Sequence, residues 1–248
     1  MSIFNFKKRN NNSGANSTTS SQKKAEVTLF NAEEALERHI VSLKKDKNID
    51  LSSHRARVFV VLDASGSMDY LFSSGSVQET LTRILPLALK FDDNGELEVF
   101  RFSNNSKHLA SMTLKNYEDY VTKEIIKKGY GPDGGTNYAP VLNDTISEYK
   151  GGSPYPAFGI FITDGDNWDY VETDSVVIKS SHYKIFYQFV GIGGSDFPYL
   201  EKLDNLEGRP VDNTAFIKVE DLAKLSDDEL YAKLLEQYIP WLRAMNIN

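Results

Sequence analysis

Apolar positions along this chain follow two rhythms. Residues 58–62 (Val-Phe-Val-Val-Leu) form an unbroken apolar run rich in β-branched side chains, and similar runs follow at 97–102, 158–163 and 185–190. Such runs predict strands buried on both faces, because a strand with one wet face would alternate polar and apolar residues. Helical periodicity fills the gaps, over residues 77–89, 117–126, 141–149 and 174–180. Pro86 is expected to kink the first of these, since the ring pushes Leu85 away from helical angles. A strand at 215–219 and a last helix from Ser226 close the pattern. Ser226 and Glu229 stand in capping-box register, and Leu230, Leu234, Leu235, Tyr238, Trp241 and Leu242 supply a buried face. Buried strands alternating with helices predict an α/β fold with a mostly parallel sheet covered on both faces.

The first fifty residues read differently. Residues 1–24 are rich in Asn, Ser, Lys and Thr with no Asp or Glu, and such a segment buries too little apolar surface to order itself. A disordered polar tail is expected there. Its Ile3-Phe4-Asn5-Phe6 followed by Lys7, Lys8 and Arg9 is either a loose terminus, a short docking peptide or a weak contact for an anionic membrane surface. A helix is expected over residues 31–46, capped by Asn31, with Glu33 and Glu34 in its first turn and Lys44 and Lys45 in its last. The organisation read from the chain is therefore a tail (1–24), a helical extension (25–53) and one main domain (54–248).

Composition narrows the function. The chain has 248 residues, 40% hydrophobic and 25% charged, which suits a globular domain with a sizeable core. Its formal charge of −7 argues against nucleic acid as the partner, since phosphate binding needs a concentrated positive surface. The absence of cysteine excludes disulfides, thiolate zinc sites and cysteine nucleophiles. No stretch has the length of a transmembrane span, and the N-terminus lacks the order of a signal peptide, so a cytoplasmic protein is expected.

The candidate chemistry sits where strands end. After the first strand comes Asp63-Ala64-Ser65-Gly66-Ser67, in which side chains 63, 65 and 67 alternate along an extended segment and their oxygens can converge. Gly66 is expected to let the backbone turn closely there. Gly134-Gly135-Thr136-Asn137 permits a tight loop presenting the Thr136 hydroxyl, and Asp164 follows the strand at 158–163. In open α/β sheets, ligands gather beyond the carboxyl ends of the strands, so three segments point at one rim. Two carboxylates and three hydroxyls make a hard, all-oxygen set suited to Mg²⁺, with Mn²⁺ or Ca²⁺ as substitutes. Two carboxylates also neutralise a divalent cation. Mg²⁺ keeps an octahedral shell, so an open position remains for a partner's Asp or Glu.

The Asp63-x-Ser65-x-Ser67 element, Thr136 and Thr163-Asp164-Gly165 together resemble the metal-ion-dependent adhesion site of a von Willebrand factor type A domain. The similarity covers roughly residues 54–245. Within that superfamily the chain resembles the bacterial tellurium-resistance type, which is also associated with stress response. Matching passages are Leu89-Lys90-Phe91-Asp92-Asp93-Asn94-Gly95-Glu96-Leu97, Gly191-Ile192-Gly193-Gly194 and Asp212-Asn213-Thr214-Ala215-Phe216. The resemblance implies a doubly wound, Rossmann-like sheet of six strands in order 3-2-1-4-5-6 with the metal on top. It also implies direct metal contact by the Ser65, Ser67 and Thr136 hydroxyls, and contact through water for one or both of Asp63 and Asp164. Many relatives carry a further β-domain ahead of this one. A polar tail stands there instead, so functions of that domain are not carried over.

Plainer readings compete. Asp63, Ser65 and Ser67 can serve merely to cap the following helix, and Asp133, Asp166 and Asp169 either widen the site or are solvated loop acids. Asn137, Asp166, Trp168 and Tyr170 are candidate partner contacts, although the two aromatics can instead pack beneath their loop. The reading favoured is a metal-dependent protein-binding module without turnover. The alternative is a Mg²⁺-dependent hydrolase or phosphotransferase with Asp63 as nucleophile. Against it, haloacid-dehalogenase-type enzymes want a second Asp two residues on, where this chain has Ser65, and no G-x-x-x-x-G-K-[ST] phosphate loop is present.

Overall fold

Every predicted apolar run becomes a strand of one sheet. The computed structural model describes residues 20–220 and 224–247. Its strands are β1 (Arg57–Asp63), β2 (Glu98–Phe102), β3 (Ser106–His108), β4 (Ala157–Thr163), β5 (Ile185–Ile192) and β6 (Thr214–Val219). They lie in the order β3-β2-β1-β4-β5-β6. All neighbours are parallel except β2 and β3. This is the doubly wound order expected from the resemblance. Strand order reverses between β1 and β4, which places a crevice over their carboxyl ends.

Alternate side chains of each strand feed two separate cores. Val58, Val60 and Leu62 of β1 and Phe158, Ile160 and Ile162 of β4 point to one side. There they meet α1 (Ser20–Lys47), α3 (Ser76–Phe91), α7 (Asp227–Glu236) and α8 (Tyr238–Ala244). Phe59, Val61, Phe102, Phe161, Tyr187 and Phe189 point to the other, where α4 (Ala139–Tyr149), α5 (Tyr170–Ser180) and α6 (Pro198–Asp204) cover them. With apolar contacts on both faces, a central strand gains nothing from polar alternation, and this explains the unbroken runs.

Five features depart from the sequence reading. The first helix is longer than expected: α1 begins at Ser20, so Asn31 lies in its interior and caps nothing. Residues 20–24 of the expected tail are thus helical, and the remainder, 1–19, lies outside the described residues. The last helix, expected as one, divides at Gln237 into α7 and α8. Helix α3, by contrast, is continuous through Pro86, the position read as a kink, with the proline buried within it. A proline forfeits one hydrogen bond of the ladder, and burial of most of this helix compensates. Residues 117–126, expected as one regular helix, divide into a 3₁₀ turn at Tyr117–Asp119 and a π-helical turn at Val121–Ile126. Unforeseen were β3, a three-residue polar edge strand, and two short helices, α2 (Asp69–Ser73) and α6.

The start of the final helical segment matches its reading closely. Ser226 accepts from the Glu229 backbone N–H, and the Glu229 carboxylate accepts from the Ser226 backbone N–H. Replacing Ser226 with Ala removes the hydroxyl arm and leaves the backbone N–H to Glu229, and is expected to cost about 1 kcal/mol, a fall in Tm of about 3 °C. Calorimetry of Ser226→Ala checks this; an unchanged Tm would mean that packing of Leu230 and Leu234 alone sets the helix start.

Candidate functional site

Register between β1 and β4 builds the floor of the site. Leu62 pairs with Ile162, so the next residues, Asp63 and Thr163, stand side by side. The Thr163 hydroxyl donates to Asp63 Oδ2 (2.6 Å), and the Ser65 backbone N–H donates to Oδ1 (2.7 Å). Asp63 is wholly buried, at 0% exposure. Burial pushes its carboxyl up to about 6; the hydrogen bonds from Thr163 and Ser65 oppose the rise and the charge of Asp164 adds to it.

Three further oxygens form a row above this floor. The Ser65 and Ser67 hydroxyls are 3.1 Å apart, and Ser67 donates to Asp164 Oδ1 at 2.8 Å. Burial raises the Asp164 carboxyl as well, against the pull of the Ser67 bond. Adjacent oxygens around an octahedral Mg²⁺ stand about 2.9 Å apart, given bonds of about 2.0–2.1 Å at right angles. The row has that spacing, and its donors are hard oxygens, so the residues present fit such an ion. Among the described residues, no group of three or more His, Cys, Asp or Glu is placed to hold a metal.

Thr136 joins the site through its backbone. Its segment is held by Asp133 N–H to Ala64 O (2.8 Å), Gly66 N–H to Gly134 O (3.2 Å), Asn137 N–H to Ser103 O (2.9 Å) and Trp168 N–H to Thr136 O (3.0 Å). These bonds tie the ends of β1 and β2 and the loop after β4 to one turn. Gly134 has φ +61°, and a Cβ there would lie 2.8 Å from Asn104 Nδ2; one on Gly135 would lie 2.9 Å from Asn104 Oδ1. Gly134 thus suits its left-handed backbone, and a Cβ on either glycine would have to displace the exposed Asn104 side chain, which the sequence reading did not single out. Gly66, by contrast, has no such need. It lacks a positive φ, and a Cβ would meet only Gly134 O at an ordinary 3.7 Å.

The loop acids prove unlike one another. Asp169 is a helix cap reached across loops: its carboxylate accepts from the Tyr138 and Ala139 backbone N–H groups at 2.9 and 2.8 Å, where α4 begins. Asn167 and Thr173 also donate to it. Asp133 pairs with the buried Arg101 at 2.8 Å, and hydrogen bonds from Ser103 and Arg101 hold its carboxyl below the usual range. Asp166 is half-buried, and that burial raises its carboxyl. Asn137 is half-buried beside Ser103. Both aromatics are exposed, Trp168 at 77% and Tyr170 at 44%, and Tyr170 also lies against the Tyr199 ring with centroids 4.5 Å apart.

Sequence reasoning proposed five candidate donors and did not single out the residues that hold their loops. Asn104, Arg101 and Asp169 sit in or next to loops where no local pattern marks a polar residue as structural. Thr163 carried a signal, a hydroxyl directly before Asp164 at a strand end.

Comparison with known proteins agrees with this geometry. Residues 55–248 match the family described as vWA-TerF-like, a von Willebrand factor A domain found in the TerF C terminus. The uncharacterized protein YcbR of Bacillus subtilis (strain 168) is 41% identical over 196 residues, 78% of this chain and 80% of that protein. Among solved structures, the SpRpn10 VWA domain superposes with a TM-score of 0.54 at 9% identity, over 72% of this chain and 95% of that one. The manganese-loaded Plasmodium vivax TRAP protein gives 0.53 at 16% identity, over 76% and 74%. The D319A mutant of the PilB minor pilin from Streptococcus sanguinis gives 0.55 at 14%, over 76% of this chain but only 62% of the pilin. At such identities the likeness to these structures is one of fold.

Proposed function

This chain belongs to the vWA-TerF-like family, and on that premise we propose that it is a divalent-metal-dependent protein-binding module. Asp63, Ser65, Ser67, Thr136 and Asp164 would hold Mg²⁺, or Mn²⁺ or Ca²⁺ in its stead, and a partner's Asp or Glu would complete the shell. The setting proposed is bacterial and cytoplasmic, in a system of the tellurium-resistance or stress-response type. The observation that carries the reading is the row Ser65–Ser67–Asp164, whose 3.1 and 2.8 Å spacings suit one small hard cation. Manganese on the same fold in the Plasmodium vivax TRAP structure supports it.

Bound there, the ion supplies a Lewis-acid position that an outside carboxylate can occupy. The chain's own residues do the rest. Ser65 and Ser67 offer hydroxyl lone pairs, and Asp63 is held in one orientation by the Ser65 N–H and the Thr163 hydroxyl. The same clamp speaks against Asp63 as a nucleophile. Both of its oxygens are engaged and the residue is fully buried, whereas attack on a phosphoryl or acyl centre needs an exposed oxygen with a free approach. Binding without turnover is therefore the reading preferred. Among the described residues no helix is long and apolar enough to cross a membrane.

Isothermal titration of Mg²⁺ and Mn²⁺ tests the proposal. Saturable binding at one site is expected, weakened at least about tenfold in Ser65→Ala and in Asp164→Ala. Capture of partners in Mg²⁺, then in EDTA, should yield proteins retained only with the metal. Equal affinity in wild type and both variants would place any bound ion elsewhere and remove the basis of the reading.

A further inference from the structure

The loops above the carboxyl edge of the sheet bear charge of one sign. Residues 63–70, 103–105, 131–137, 164–172 and 193–197 contain no Lys, Arg or His. Apart from Asp63, Asp164 and the helix-capping Asp169, they carry Asp69, Asp133, Asp166, Glu172 and Asp196. Among the described residues, Arg101 and Lys218 reach this edge from the strands and are engaged, with Asp133 and with Asp196 at 3.3 Å, while Lys107, opposite Arg101 in β3, lies over the Tyr130 ring. One divalent ion balances the two site carboxylates and leaves this rim negative. An acidic partner would meet it with repulsion everywhere except at the metal.

Within the rim stands an indole held in place. Trp168 is 77% exposed, yet its backbone N–H is bonded to Thr136 O, and its ring edge lies 3.4 Å from where a Cβ on Gly135 would sit. The next residue, Asp169, is pinned to the start of α4. The ring is thus presented beside the site at little further entropic cost on binding. A fixed aromatic face among carboxylates is a receptor for a cation, and Arg or Lys over indole is the strongest pairing of that kind.

We propose that the partner segment is basic: one Asp or Glu flanked by Arg or Lys, with a flanking cation laid on Trp168 and its neighbours opposite Asp166 and Glu172. This rests on the metal reading for the carboxylate alone; the cationic flanks are argued from the rim itself. The negative rim steers such a segment inward and rejects acidic surfaces, so the site selects by flank as well as by carboxylate.

Fluorescence anisotropy with three labelled peptides tests it, each a central Asp in a Gly frame flanked by Arg, by Ser or by Glu, in saturating Mg²⁺. The Arg-flanked peptide is expected to bind about tenfold tighter than the Ser-flanked one, and the Glu-flanked one least. Trp168→Ala should erase most of that preference, Trp168→Phe should retain part of it, and raised salt should shrink it. Equal affinity for the Arg and Ser flanks, no effect of Trp168→Ala, or no binding of the Arg-flanked peptide at millimolar concentration would each overturn the proposal. EDTA separates the two readings. A flank preference that survives EDTA and needs Trp168 upholds the basic-partner surface while the metal reading fails. Binding that needs Mg²⁺ but ignores the flanks does the reverse.

Discussion

Asp63→Asn is expected to make the metal-free protein more stable at pH 7 while abolishing its stabilisation by Mg²⁺. The sign follows from burial. In the folded chain the Asp63 carboxyl is raised to about 6 from an ordinary 3.8, chiefly because it is cut off from water. The native state therefore holds its proton to higher pH than the unfolded chain does. Stability from this group is fully present below the unfolded value near 4 and is lost as pH rises through about 6. The gap corresponds to about 3 kcal/mol of penalty on the metal-free protein at neutral pH. Asn keeps an acceptor for the Ser65 N–H and carries no charge, so the variant should recover about 1–3 kcal/mol, a rise of several degrees in Tm. Other buried carboxyls, Asp92 among them, are raised too. The informative quantity is thus the difference between wild type and variant from pH 4 to pH 8. Calorimetry should show that difference growing with pH in EDTA and shrinking or reversing in excess Mg²⁺, where the ionised Asp63 has a counter-charge. A variant less stable than wild type throughout would mean that the Thr163 bond, not the buried charge, dominates at this position.

The second large effect lies in the core. A Cβ on Gly159 of β4 would sit 2.3 and 2.5 Å from Cζ and Cε2 of Phe59, distances no side chain tolerates. Phe59 has nowhere to retreat. It is stacked on Tyr149 with centroids 4.5 Å apart and meets Phe100 and Tyr187 edge-on at 6.0 Å each. Gly159→Ala should therefore cost about 3 kcal/mol or more, a fall in Tm of about 10 °C. Pairing it with Phe59→Leu makes room, and the double variant should be more stable than Gly159→Ala alone. If Gly159→Ala melts within a degree of wild type, the Phe59 ring has a second position and the aromatic cluster is looser than these contacts imply.

How much of this was legible in the chain depends on how local each cause is. Strands β1, β4 and β5 announce themselves because burial on both faces forces near-continuous apolar runs. Strand β3 does not, since Ser106-Lys107-His108 lies at the sheet edge, where a polar triplet is acceptable. The candidate donors could be proposed from sequence because strand ends in a doubly wound sheet converge whatever the loops contain. The fate of each loop acid was not. Asp133, Asp166 and Asp169 look alike in sequence, yet one pairs with Arg101, one is half-buried and one caps α4 from across the site.

The sequence by itself determined the fold class, the strands that carry the site and the hard, oxygen-only character of its donors. Each of these follows from residue type and spacing along a single element. Only the tertiary structure decided that Thr163 and Ser65 clamp Asp63, that Asn104 lies against the paired glycines, and that Tyr170, though partly exposed, lays its ring on Tyr199 beside the more exposed Trp168. Those outcomes depend on groups tens of residues apart in the chain meeting at van der Waals distance. No local pattern encodes such meetings, because the free energy that selects them belongs to the packed whole.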